Sequence, residues 1–168
     1  MKKFNGILMC TDLDGTLLRN DKTISRENKE AIEYFKSEGG LFTFITGRMP
    51  SYVSDMYEAI NPNCPFGCVN GAGIYDHRTG EYLWTLPIGD GVCELIAHID
   101  ENIPDMAIHV STFYKTYFCK DSEAMAAFRR VTRLPNITRH YNDITEPIAK
   151  VVFADFEDSN ILHLRWRA

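Results

Sequence analysis

The sequence predicts an α/β fold: a parallel sheet within residues 1–84, followed by a second, α+β unit over residues 85–168. Two observations carry this. Short apolar runs at residues 7–10, 41–45 and 66–69 alternate with two amphipathic stretches, and that order feeds a parallel sheet through right-handed crossovers. Beyond residue 73 the rhythm changes to a hairpin and then to a mixed helix and strand pattern.

The elements follow in order. Ile7-Leu8-Met9-Cys10 is a continuous apolar run, as expected of a strand buried on both faces. Ser25 caps a helix running to about Glu38, with Asn28 giving a partial capping box and Ala31, Ile32 and Phe35 an apolar stripe. Gly39-Gly40 stops it. Leu41 to Ile45 is the second strand, Pro50-Ser51 opens a helix through Ile60, and Phe66 to Val69 is the third strand. Ile74-Tyr75 and Tyr82-Leu83-Trp84 flank the turn at Asp76-His77-Arg78-Thr79-Gly80. The second unit reads as a helix over Val92–Asn102, strands at Ala107–Val110 and Lys115–Cys119, a helix over Ser122–Thr132, a strand over Ile148–Phe153 and a last helix over Ser159–Trp166.

Composition narrows the function classes. A chain of 168 residues with 45% apolar and 24% charged residues has the makings of a globular core. The net charge of −5 is no footprint for nucleic acid, and the densest basic positions, Arg129, Arg130, Arg133, Arg165 and Arg167, read as solvated helix faces. No apolar run is long enough for a membrane span. An odd count of five cysteines, without paired zinc spacing, predicts reduced thiols and a cytoplasmic protein.

The chemistry lies in Asp12-Leu13-Asp14-Gly15-Thr16, directly after the first strand. Open α/β sheets bind ligands where their strands end. Gly15 permits a sharp turn whose amides can face an anion. A carboxylate there is a competent nucleophile toward phosphorus, and a second can protonate a leaving oxygen and later take a proton from water. Both suit Mg²⁺, a hard cation preferring oxygen ligands. An EF-hand loop also begins D-x-D, but Leu17 occupies the position that requires glycine. Ile45-Thr46-Gly47-Arg48 and Val69-Asn70-Gly71-Ala72 end the next two strands at the same sheet edge. Thr46 offers a hydroxyl, Gly47 an amide and Arg48 a charge for a phosphate oxygen or a carboxylate.

These three motifs, in this order and spacing, resemble a haloacid dehalogenase superfamily hydrolase of the Cof-type subfamily of sugar-phosphate and nucleotide phosphatases. The resemblance implies a Rossmann-like, doubly wound core, of which residues 1–84 are the N-terminal part, and an α/β cap beginning near residue 85. It implies a Mg²⁺-dependent phosphatase of small phosphorylated metabolites. Asp12 would be nucleophile and metal ligand, and Asp14 general acid and base with its carbonyl on the metal. Thr46 and the Gly47 amide would hold the phosphoryl group, with Arg48 and Asn70 as secondary contacts. The cap would govern substrate choice, with His109, Phe113, Tyr114, Tyr117 and His140 as residues that can face a ligand.

The family's third and fourth motifs, a lysine and a Gly-Asp-rich loop, have no match before the chain ends at Leu162–Ala168, inside the expected cap. Lys150 and Asp155 are poor substitutes, since Asp155 and Asp158 do not fit the family loop and Lys150 reads as a strand residue pointing to solvent. A truncated, weak or inactive enzyme is therefore expected, since each lost electrostatic contact costs about 10²–10³ in rate. The alternative is a non-catalytic remnant that binds a phosphate ligand or a partner. A receiver-like phosphoacceptor would want an acidic residue where Val69-Asn70 stands. Without later strands, Ile7–Cys10 becomes an exposed apolar edge, which predicts a homodimer through that edge or a piece of a longer polypeptide.

Overall fold

In the computed structural model the described residues are 2–122, 126, 129, 135 and 137–154. The chain divides into two compact units, Met1–Leu86 and Pro87–Ala168.

In the first unit, strand β1 (Leu8–Thr11) leads to helix α1 (Arg26–Ser37) and strand β2 (Leu41–Phe44). The Ser25 hydroxyl accepts the Asn28 amide at 3.1 Å, as the capping signal predicts. Ile32 and Phe35 form the buried stripe of α1, while Ala31 faces solvent. A Cβ on Gly40 would overlap the Phe35 ring, so glycine here permits close approach as well as helix termination. Pro50–Tyr52 forms a 3₁₀ turn before helix α2 (Ser54–Ile60), a split of the single helix expected there. Strand β3 (Phe66–Cys68) follows, then the hairpin of β4 (Gly73–Asp76) and β5 (Glu81–Thr85).

β1 and β2 pair in parallel, from Leu8 opposite Leu41 to Thr11 opposite Phe44. A parallel bridge between Ile45 and Gly67 sets β3 along the other side of β2. Phe44 stacks on Phe66 with centroids 4.6 Å apart, and Tyr57 from α2 meets both rings. These contacts place the ends of β1, β2 and β3 side by side.

β1 departs from its expected burial. Leu8 is 57% exposed, and Ile7, Met9 and Cys10 are exposed too. The reason is topological: among the described residues only β2 pairs with β1, so its second edge is open.

In the second unit, helix α3 (Val92–Asn102) lies against an antiparallel sheet of order β7-β6-β8, built from β6 (Ala107–Thr112), β7 (Thr116–Lys120) and β8 (Ile148–Ala154). Ile96, Ile108, Val110, Tyr117 and Ile148 form its core with Tyr141 and Ile144. All six residues of β6 are buried, as a central strand requires. His109 Nε2 and Ser111 Oγ lie 3.0 Å apart, and Ser111 Oγ lies 3.1 Å from Thr116 Oγ1. Lys150, opposite Ser111, is half-buried rather than solvated, and burial pulls its ammonium below the usual lysine range. The helices expected over Ser122–Thr132 and Ser159–Trp166 fall largely and wholly outside the described residues, respectively. Arg130, Arg133, Asp155, Asp158, Arg165 and Arg167 also lie outside them. No helix among the described residues is long and apolar enough to cross a membrane.

Candidate active site

The site grows from three strand ends. The Ile45 amide donates to the Thr11 carbonyl at 2.8 Å, so Asp12 leaves β1 directly beside Thr46 as it leaves β2. The Thr46 amide in turn donates to Gly67 at 3.0 Å, which brings the end of β3 alongside.

Beyond β1 the chain turns tightly. Gly15 has φ +80°, a conformation that disfavours side chains with a Cβ. The Leu17 amide donates to the Asp12 carbonyl and the Leu18 amide to the Leu13 carbonyl. Leu13 and Leu18 are buried and anchor the turn, leaving Asp12, Asp14 and Thr16 exposed. The Thr16 hydroxyl donates to Asp12 Oδ2 at 3.3 Å and so orients that carboxylate.

Asp14 is held differently. Arg48 donates from Nε to Oδ2 at 2.9 Å and from Nη2 to Oδ1 at 2.8 Å, a two-pronged clamp. The Lys22 ammonium donates to Oδ1 at 2.8 Å. The Arg48 hydrogen bonds foremost, with Lys22 adding to them against the effect of burial, hold the Asp14 carboxyl at about 2.

Lys22 is the residue that sequence reasoning missed. It sits in the hairpin closed by Leu18 and Ile24, where the Arg19 amide donates to Thr23 and the Lys22 amide to Arg19. Asp21 Oδ1 accepts both the amide and the hydroxyl of Thr23. The turn-forming tract Asn20-Asp21-Lys22-Thr23 between apolar Leu18 and Ile24 was the available signal.

Thr46, Gly47 and Asn70 form the opposite wall. Thr46 is 3% exposed, and its hydroxyl oxygen accepts the Arg48 amide at 3.3 Å, which leaves the hydroxyl proton to donate. The Val69 amide donates to Arg48 and the Asn70 amide to Thr46, lacing the two loops together. Val69 and Asn70 both have positive φ, 52° and 56°. A β-branched residue in that region is strained, and such strain concentrates at functional loops. A Cβ on Gly47 would overlap Asn70 Oδ1, so the carboxamide closes directly over Gly47. Asp12, Asp14, Thr46, Gly47, Arg48 and Asn70 thus converge on one sheet edge, with contacts joining Asp14 to Arg48 and Gly47 to Asn70. The second-unit residues expected to face a ligand do not share one character: His109, Phe113 and Tyr117 are buried, Tyr114 and His140 exposed.

The donors for a divalent cation are few. Among the described residues no cluster of three or more His, Cys, Asp or Glu side chains surrounds a common point. The carboxylate of Asp14 is occupied by Arg48 and Lys22, which leaves Asp12 as the carboxylate available to a metal. One carboxylate with carbonyl, water and phosphate oxygens is within the usual pattern for Mg²⁺, so the residues present fit a weakly held ion.

Comparison with known proteins agrees with the fold and the family resemblance. The chain matches the haloacid dehalogenase-like hydrolase family over residues 9–165. It is 26% identical to 5-amino-6-(5-phospho-D-ribitylamino)uracil phosphatase YitU of Bacillus subtilis, over 96% of this chain and 66% of that protein. It is 31% identical to pyridoxal phosphate phosphatase YbhA of Escherichia coli, over 48% of this chain and 30% of that protein. Among solved structures, the subclass IIB sugar phosphatase BT4131 superposes with a TM-score of 0.74 at 16% identity, covering 88% of this chain and 58% of that one. The chain therefore spans less than two thirds of each of these proteins. With the family matched across most of its length and the three motifs meeting at one sheet edge, the chain belongs to the haloacid dehalogenase-like hydrolases, as a Cof-type member.

Proposed function

We propose that the site is that of a Mg²⁺-dependent phosphatase of small phosphorylated metabolites, working through an aspartyl phosphate on Asp12. The observation that carries the reading is the unequal treatment of the two carboxylates. Asp12 is exposed and oriented by a hydroxyl, whereas Asp14 is clamped by two cations. A nucleophile needs the first environment.

In the proposed reaction an Asp12 oxygen attacks phosphorus and the bond to the leaving oxygen breaks, that oxygen taking a proton from Asp14. Water then attacks the aspartyl phosphate, Asp14 accepts its proton, and the Asp12 carboxylate is restored. The Thr46 hydroxyl and the Gly47 loop hold the phosphoryl oxygens, with Arg48 and Asn70 beside them. The Asp12 carboxylate and the Asp14 main-chain oxygen would hold a Mg²⁺ ion, which would offset the charge between carboxylate and phosphate. A cytoplasmic setting goes with this reading, since all five cysteines are free.

The Arg48 clamp favours a second reading, a phosphate-binding chain without turnover. An Asp14 carboxyl held at about 2 is a poor proton donor near neutral pH. One experiment separates the two: phosphate release from an aryl phosphate with and without Mg²⁺, with Asp12→Asn in parallel. Slow, metal-dependent release that vanishes in Asp12→Asn supports the enzyme. Phosphate binding with neither release nor phosphorylation of Asp12 supports the second reading. That absence of both release and phosphorylation defeats the aspartyl-phosphate mechanism.

A further inference from the structure

Asp14 has one cation more than its own hydrogen bonding needs. Arg48 reaches both carboxylate oxygens by itself, at 2.9 and 2.8 Å. Lys22 adds a second cation to Oδ1, although its side chain is 54% exposed and an exposed pair contributes little to stability. The chain nevertheless holds Lys22 at φ 64°, in the left-handed region that lysine rarely adopts, at the tip of a hairpin laced by its own main-chain bonds. Stability of the Asp14 pair alone does not account for that placement.

A charge count gives another reason. At their formal charges Asp12 and Asp14 carry two negative charges, and Arg48 and Lys22 carry two positive ones. A phosphate-ester dianion entering with one divalent cation leaves that balance intact. Removing Lys22 would leave the pocket one charge too negative for its ligand. The ammonium also has three donors, of which Asp14 takes one.

Resting on the phosphatase reading above, we propose that Lys22 is a phosphate-binding residue: its ammonium turns from Asp14 to an oxygen of the bound phosphate, so that the residue 18–24 hairpin supplies the second cation of the anion pocket. Arg48 keeps Asp14 in place during that exchange. The ligand chemistry is that of a dianionic phosphate or phosphomonoester.

The test is calorimetric titration of the full chain with inorganic phosphate in Mg²⁺. Lys22→Met should weaken binding about tenfold or more, the loss of one charge-assisted hydrogen bond, and Lys22→Arg should restore most of it. Lys29→Met, on the exposed face of α1, removes the same charge and should change affinity little. Unaltered affinity in Lys22→Met, with the original chain binding phosphate, overturns the role of Lys22 and leaves the phosphatase reading standing. An equal loss in Lys29→Met reduces the effect to net charge and also overturns it. Failure of the unsubstituted chain to bind phosphate defeats the phosphatase reading, and the role of Lys22 falls with it. Circular dichroism of each variant guards against misfolding, which the exposure of Lys22 makes a small risk.

Discussion

His109 should make the second unit sensitive to acid. The residue is 4% exposed on the central strand β6, with its Nε2 against Ser111. Burial, aided by the charge of Lys150, lowers its value from 6.5 to about 4. The unfolded chain therefore takes up a proton as pH falls below the ordinary value, while the folded chain stays neutral until about 4. Stability from this residue is complete above the unfolded value and is lost as pH drops toward the folded one. Between pH 7.5 and 5.0 the loss is about 2 kcal/mol, and below both values it reaches about 3 kcal/mol. Urea unfolding at the two pH values, on the original chain and on His109→Gln, reads this directly. Gln keeps a polar partner for Ser111 but does not titrate, so its pH-dependent loss should be smaller by about 2 kcal/mol. Equal losses in the two proteins would refute the reasoning, because every other titrating group is common to both.

Two further predictions concern the first unit. Gly47→Ala should displace the Asn70 carboxamide and lower phosphate affinity; Asn70→Gly in the same chain should relieve the overlap and recover stability, measured by thermal unfolding, without recovering binding. A second copy paired along the open edge of β1 is proposed as the partner of Leu8–Thr11; light scattering should then report a dimer that Leu8→Lys converts to monomer, and a monodisperse monomer of the original chain would remove the idea.

The sequence made legible whatever depends on neighbours in the chain. The Ser25 cap, the buried pair Ile32 and Phe35, and the hairpin around Asp76–Gly80 follow from local pattern. So does the meeting of Asp12, Thr46 and Asn70, since parallel strands carry their C-terminal ends to one edge. What stayed hidden depends on partners distant in sequence. The apolar run of β1 signals a strand but does not report how many strands flank it, and here one edge is open. Periodicity placed Lys150 on a strand but not toward a half-buried side, because β8 packs beside β6, whose every residue is buried. Lys22 was invisible for a similar reason: a lysine in a turn is ordinarily solvated, and only the fold brings its ammonium back to Asp14.

The Asp14 clamp sets the terms of any turnover at this site. The carboxyl is held near 2 mainly by Arg48, so near neutral pH it is almost wholly ionised. An ionised Asp14 can accept a proton from the water that hydrolyses an aspartyl phosphate. It has no proton to give the leaving oxygen in the first step. The cations that impose this state are also those best placed to meet an incoming phosphate, at 2.8 Å and 2.8–2.9 Å from the same carboxylate. A phosphate dianion that draws Lys22 away removes only the lesser of the two cations, and the Arg48 clamp still keeps Asp14 ionised. Aryl phosphates have good leaving groups and need that proton least. Alkyl phosphates need it most, so the ratio of aryl to alkyl phosphate turnover measures how far the clamp opens when substrate binds. A chain whose Arg48 clamp stays shut should release phosphate from aryl esters alone, even with Lys22 on the substrate, and a chain in which Arg48 also lets Asp14 go should accept both.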